Sequence, residues 1–338
     1  MSSTTGVSAV DKPPHPAGRG PIKTDRGTAG TGRLGDRLFG GTAKGASLLV
    51  IVMVTLIAVF LLSQALPTLA KDKVNFLTST QWNVDGTPLQ FGIANLLWVT
   101  ALSSVIAMLI AVPLGVGVAL FITQYAPGWL SRPAASLVDL LAAVPSIVYG
   151  LWGLQVFGPH MDGIQSVLQN LFGWFPLFKE TGVGAASTIL TVGVVLSIMV
   201  LPIVTALSRE VFDQTPVAHT DAALALGATR WEMIRTAVLP FGKPGVISAS
   251  MLGLGRALGE TVAVTIILSA LADGSAWSWS MFNGGETFAS KIANNAAEFD
   301  SPQKAGAFMA AGLVLFLLTF VVNAIARIVI NSRKAFSE

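Results

Sequence analysis

The chain contains no cysteine among its 338 residues. It therefore has neither a disulfide framework nor a thiolate metal site, and its redox compartment leaves no trace in the composition. Histidine is scarce too: His15, His160 and His219 stand far apart and lack the spacing of a His-Glu-x-x-His metal motif. The shortage of charge excludes most. Charged residues make up 12% of the chain against 52% hydrophobic ones, with a mean hydropathy of +0.67, which leaves too little polar surface to clothe a water-soluble domain. No Gly-x-x-x-x-Gly-Lys-Ser/Thr phosphate loop occurs, and no clear internal repeat of the kind common in secondary transporters is present.

What the chain has instead is long apolar runs. A bilayer core about 30 Å thick takes roughly 20 apolar residues per helix, and runs of that order occur at 46–66, 93–122, 134–157, 184–207, 245–272 and 305–330. The fold class expected is an all-α integral membrane protein of about six transmembrane helices. Residues 1–45, rich in Gly, Pro, Ser, Thr and charge, read as a disordered cytoplasmic tail. The run at 46–66 reads as a first anchor helix, because it starts too late, is too long for a signal peptide and lacks a clear cleavage site. Residues 93–330 form the core of about five further helices, with a cytoplasmic loop at 208–244, and 331–338 are a short C-terminal tail.

Basic residues near helix ends mark the cytoplasmic face. With the N-terminus inside, Lys12, Arg19, Lys23, Arg26, Arg33, Arg37, Lys44, Arg132, Arg209, Arg230, Arg235, Lys243, Arg327, Arg333 and Lys334 lie in the cytoplasm. Lys71, Lys73, Lys179, Lys291 and Lys304 lie outside, and both termini are cytoplasmic. The net charge of +3 follows from this topology, and no nucleic-acid partner is needed to explain it. Trp174, Trp277 and Trp279 outside and Trp129 inside fit an aromatic belt, and the segment 158–183 contains a short interfacial helix. Asp139 is expected at a helix-end or interhelical contact. Thr100, Ser103, Ser104, Thr188, Thr191 and Ser197 are expected to bond between helices.

Within the loop, TDAALALGATRWEMIRTAVLP parses into two short helices. Thr215 caps the first, Pro216 occupies its first position, and it stops near Gly227. Thr229 and Glu232 form a capping box for the second, which Pro240 and Pro244 end. From these residues alone an ordinary interfacial helix pair fits equally well. The spacing of Asp221, Ala222, Ala223, Gly227, Leu239 and Pro240 resembles the EAA loop of importer-type ABC permeases, with Asp221 in place of the usual Glu. The resemblance implies that the loop docks into a cleft on an ATP-hydrolysing subunit, with small residues permitting close approach and Arg230 and Arg235 bordering the contact. Since this chain has no phosphate loop, ATP and magnesium would be bound by the partner ATPase; the chain itself would be non-catalytic and carry no cofactor.

The run GVISASMLGLGRALGETVAVTIILSAL holds Arg256 and Glu260, four apart and so on one face of a continuous helix, near the bilayer centre. A structural Arg–Glu pair is one reading, supported by the Gly255-x-x-x-Gly259 spacing. Oxyanion capture is the other, since a guanidinium offers a planar fork of donors. GRALGET, VPSIVYGLWGL and LPIV are similar to the corresponding segments of phosphate ABC permeases. That resemblance implies a substrate path through Arg256 and Glu260. It also implies a second homologous permease subunit, two ATP-binding subunits, an extracytoplasmic phosphate-binding protein and a bacterial plasma membrane. An ABC permease for another oxyanion or small solute, and a proton-coupled secondary phosphate transporter using Glu260, remain alternatives.

Overall fold

The computed structural model describes residues 32–86, 88–271 and 277–334, and the chain divides into two units, Met1–Leu56 and Ile57–Glu338. Helix α1 spans Gly32–Leu69. It begins earlier than its apolar run, which corrects the expectation of an unstructured tail for 32–45; residues 1–31 lie outside the described residues. Arg, Leu and Lys are good helix formers, and extending a helix already nucleated by the apolar run adds one bond per residue fixed. Leu48, Leu49, Ile51 and Leu56 are exposed along it, as suits a helix whose solvent is lipid.

After α1 a small hairpin pairs β1 (Trp82–Asn83) with β2 (Gln90–Phe91), antiparallel, Trp82 opposite Phe91. Buried Phe91 meets the edges of Phe76 and Trp82 at 5.7 and 5.8 Å between ring centres. It packs with Ala65, Ala307 and Ala310, which ties the hairpin to the neighbouring helix ends. Helix α2 (Ala94–Leu120) passes into a π-helical turn at Phe121–Tyr125.

The run expected at 134–157 is not one straight helix. α3 (Gly128–Ala142) ends before Pro145, and α4 (Ser146–Trp152) leads through further turns to α5 (Met161–Phe172). The two arms meet at 89°. Proline disfavours the helical region for the residue before it, and Val144 is that residue. α5 is the amphipathic helix expected in 158–183.

α6 (Ile189–Asp213) is the central helix. Its first amides are satisfied from outside: Ile189 and Leu190 N–H donate to the carbonyls of Asn283 and Met281 at 3.0 and 2.9 Å, and the Thr188 hydroxyl accepts from Thr191 N–H. These partners settle the groups a helix N-terminus leaves open.

The connection after α6 contains α7 (Val217–Ala225) and α8 (Arg230–Met233), which runs through a π-turn at Ile234–Val238 into α9 (Leu239–Gly259). α10 (Val262–Ile267) follows, then a buried non-helical stretch that includes Ser280–Asn283, then α11 (Phe288–Asn294) and α12 (Pro302–Lys334). The expected span at 245–272 is thus corrected: the helix starts earlier and breaks at Glu260.

Among the described residues five helices are long and apolar enough to cross a membrane, and six spans result if the bent pair counts as one. The core lies where Val99, Ala107 and Ala111 of α2 meet Val192, Leu196 and Val200 of α6, with Ala257, Val264 and Ile267 against them. Small residues set the approach, since lipid supplies no hydrophobic drive between helices: a Cβ at Gly193 would lie 2.7 Å from that of Ile106.

Candidate functional site

The loop between α6 and α9 is built as two capped helices. α7 ends in a Schellman arrangement, in which Gly227 N–H donates to Leu224 O at 2.9 Å and Ala228 N–H to Ala223 O at 3.2 Å. Gly227 has φ +86°, a left-handed conformation that costs other residues a clash with the following carbonyl. Thr229 then opens α8 with the expected capping box: its hydroxyl accepts from Glu232 N–H and its amide donates to the Glu232 carboxylate at 2.8 Å. Thr215 does not cap α7. Pro216 holds the cap position, and the Thr215 hydroxyl is buried without a partner among the described residues.

Neither Pro240 nor Pro244 ends the second helix, which is one apolar run over Arg230–Gly259. In the π-turn Leu239 N–H reaches back to Ile234 O, so Pro240, coming next, starts a new α-helical register where its missing N–H is not required.

The named loop residues divide by burial. Asp221, Ala222, Gly227, Arg230 and Pro240 are exposed, as is Arg235. Ala223 and Leu239 are half-buried against Ala119, Phe212, Met233, Ile234 and Val238, which clamp the loop onto α2 and α6. Sequence reasoning missed the apolar crown: Val217, Leu226 and Trp231 stand 69%, 90% and 56% exposed. Their signal was apolar side chains inside an otherwise polar connection.

α9 climbs from this loop to Arg256. A Cβ on Gly253 would come within 2.7 Å of Val200, and Val200 lies near the middle of the 25-residue α6. Arg256, one turn further, is therefore at mid-height of the bundle. It occupies the last turn of α9, where a cation complements the helix dipole.

Glu260 is not on the same helical face. The helix has stopped at Gly259, and Glu260 is extended, with φ −67° and ψ 128°. Its Oε1 instead accepts Ala263 N–H of α10 at 3.2 Å, and the residue is 9% exposed. No ion pair joins it to Arg256; the ion pairs among the described residues are Arg209–Asp139, Lys291–Glu286 and those of Lys304 with Asp85 and Asp300. The reading of a structural Arg–Glu pair is corrected accordingly.

Arg256 Nε is buried with no hydrogen-bond partner among the described residues. The side chain lines a cavity of about 640 Å³ with Ser248, Leu252 and Gly255 of α9, Ile203 of α6, and Asn323 and Arg327 of α12. A guanidinium whose Nε finds no acceptor among the described residues, on a cavity that also holds a second guanidinium and an amide, is chemistry suited to an oxyanion.

Other polar groups have structural duties. Asp139 pairs with Arg209 between α3 and α6 at 3.3 Å, the interhelical contact expected. Thr100 accepts Phe288 N–H at 3.1 Å. Ser103 and Ser197, expected to bond between helices, donate instead to Val99 O and Val194 O of their own helices. Thr188 caps α6, and Ser104 has no partner among the described residues. Trp129, Trp174 and Trp279 are exposed, and Trp277 and Trp279 form a cluster with Trp98.

Residues 111–334 match the family model described as binding-protein-dependent transport system inner membrane component. The chain is 53% identical over 305 residues to the phosphate transport system permease protein PstC 2 of Mycobacterium bovis and of Mycobacterium tuberculosis, covering 89% of this chain and 93% of each relative. It is 50% identical over 301 residues to PstC of Mycobacterium leprae, covering 88% and 94%. Among solved structures, a chain of the inward-facing MetNI methionine ABC transporter aligns at 15% identity with a TM-score of 0.48, over 71% of this chain and 94% of that one. The family match and the relatives together establish that the chain belongs to the binding-protein-dependent transport system inner membrane components, within the PstC group of ABC permease subunits.

Proposed function

We propose that this chain forms part of the translocation pore of an ATP-driven importer of inorganic phosphate and that Arg256 is the anion's station at mid-membrane. One observation carries the reading: a guanidinium at mid-height with a buried Nε, unpartnered among the described residues, lining a cavity. Leaving such donors unsatisfied costs about 1–3 kcal/mol or more for a charged group, so an anion that accepts from them is favoured there over an empty site. Glu260 serves the same path in two ways. Its Oε1 caps α10 and fixes the end of α9 beside Arg256. Its remaining lone pairs suit the proton that phosphate retains near neutral pH and sulfate lacks.

The loop of Asp221, Ala222, Ala223, Gly227, Arg230, Leu239 and Pro240 is the coupling element. Its exposed crown of Val217, Leu226 and Trp231 suits a cleft on an ATP-binding subunit, and the uninterrupted run Arg230–Gly259 carries a displacement of the loop to Arg256. Closure of two such subunits around ATP and magnesium would bias the pore between inward-open and outward-open states. A second, homologous permease completes the pore, and an extracytoplasmic phosphate-binding protein delivers substrate at the hairpin end. The setting is a bacterial plasma membrane with both termini in the cytoplasm, as the distribution of Lys and Arg indicates.

Reconstituting the full complex in proteoliposomes tests this. Phosphate uptake should require ATP on the loop side and the binding protein on the other, and should persist when a protonophore collapses the proton gradient. Uptake that follows the proton gradient without ATP would overturn it.

A further inference from the structure

We infer that Arg327 and Asn323 of α12 form a second anion station, on the cytoplasmic side of Arg256, that receives phosphate before its release. The inference rests on the phosphate reading above and extends it from Arg256 to the α12 residues of the same cavity.

The cavity is a slot between two antiparallel helices. On α9, Ser248, Leu252 and Gly255 with Arg256 follow one another away from the loop. On α12 the chain runs the opposite way, from Lys304 beside the hairpin residue Asp85 towards Lys334, so Asn323 lies on the Arg256 side of Arg327. Both line the slot one turn apart and share a face. Apart from Ser248 and Asn323, the rest of the lining is apolar, with Ile203, Met251, Leu252 and Ala326.

Arg327 has no hydrogen-bond or ion-pair partner among the described residues. Ser248 at the same end has its hydroxyl proton donated to Pro244 O at 3.0 Å, so it offers an oxygen and leaves the anion-binding donors to Arg327 and Asn323. Two cationic stations in one cavity let an anion be held without being trapped, since passage requires binding weak or multiple enough to leave. The same chemistry, a phosphate oxyanion on a guanidinium and an amide, could come from free phosphate or from an anionic lipid headgroup.

The absence of cysteine in this chain supplies a clean probe. In the assembled complex, Ser248→Cys is labelled with an anionic thiol reagent, read by the mass of this chain, with and without millimolar inorganic phosphate. The measurement is made in vesicles of phosphatidylcholine alone and of phosphatidylcholine with phosphatidylglycerol. The inference predicts that phosphate slows labelling at least several-fold in both membranes. Adding Arg327→Ala should abolish this protection, and Arg327→Lys should restore part of it. Arg327→Ala alone should lower ATP-driven phosphate uptake about tenfold in a complex that still assembles. Protection by phosphatidylglycerol without phosphate would assign the site to a lipid headgroup and overturn the inference, as would phosphate protection that survives Arg327→Ala, or none. Phosphate uptake by the unsubstituted complex reports separately on the underlying reading.

Discussion

Arg256 and Glu260, one helical turn apart in sequence, stand on opposite sides of a helix end: α9 stops at Gly259, Arg256 faces the cavity, and Glu260 Oε1 takes the Ala263 amide at 3.2 Å. The two charges form no ion pair among the described residues, as the proposed anion site at Arg256 requires.

This division of labour makes Glu260→Gln informative. The glutamine carbonyl still accepts from Ala263, so α10 keeps its cap, while the charge is lost. Competition uptake assays should then show weaker discrimination of phosphate against sulfate with a normally assembled complex. Glu260→Ala, which removes the cap as well, should cost about 1 kcal/mol of stability in addition. Unchanged selectivity in Glu260→Gln would remove the carboxylate from substrate reading.

Gly227 is a second point of leverage. Its φ of +86° is outside the range other residues adopt comfortably, although a Cβ there would meet nothing within 4 Å. Gly227→Ala should therefore act through backbone strain alone, roughly 1–2 kcal/mol, and loosen the turn between α7 and α8. Basal ATP hydrolysis by the complex should persist while its coupling to phosphate uptake falls. Gly227→Asn should be milder.

The apolar crown predicts where the ATP-binding subunits grip. Leu226→Asp should weaken co-purification of those subunits by tenfold or more, leaving membrane insertion of this chain intact, because Leu226 is 90% exposed and contributes little to its own fold. Equal recovery of the subunits would move the docking surface elsewhere.

The Asp139–Arg209 pair is half-exposed on the Asp139 side, and pairs of that kind contribute about 0–1 kcal/mol. Asp139→Asn should shift the thermal midpoint by no more than a few degrees and leave uptake within about twofold.

The long helices were legible in the sequence because lipid demands uninterrupted apolar runs, and the loop caps were legible because Thr229, Glu232 and Gly227 have narrow conformational uses. The sharp bend at Pro145 carried a local signal in the proline itself. The break at Glu260 carried only the ambiguous signal of Gly259, which in an apolar run reads equally as a close helix contact; there Glu260 holds the Ala263 amide while α10 packs on α4, where a Cβ on Gly150 would lie 3.0 Å from Ala263. Pro240 misled for the opposite reason, since its local signal is a stop and the π-turn before it removes the cause. The cavity at Arg256 depends on residues of α6, α9 and α12 far apart in the chain, a proximity that no local pattern contains.

The most direct measurement is ATP-driven phosphate uptake by the full complex carrying Arg256→Ala, in vesicles where insertion and assembly of the variant have been verified. Loss of one charged hydrogen-bonding partner, about 1.5–3 kcal/mol, predicts uptake reduced roughly 10- to 100-fold, with partial recovery in Arg256→Lys. Uptake at the unsubstituted rate in an intact complex would contradict the account, placing the anion path away from Arg256.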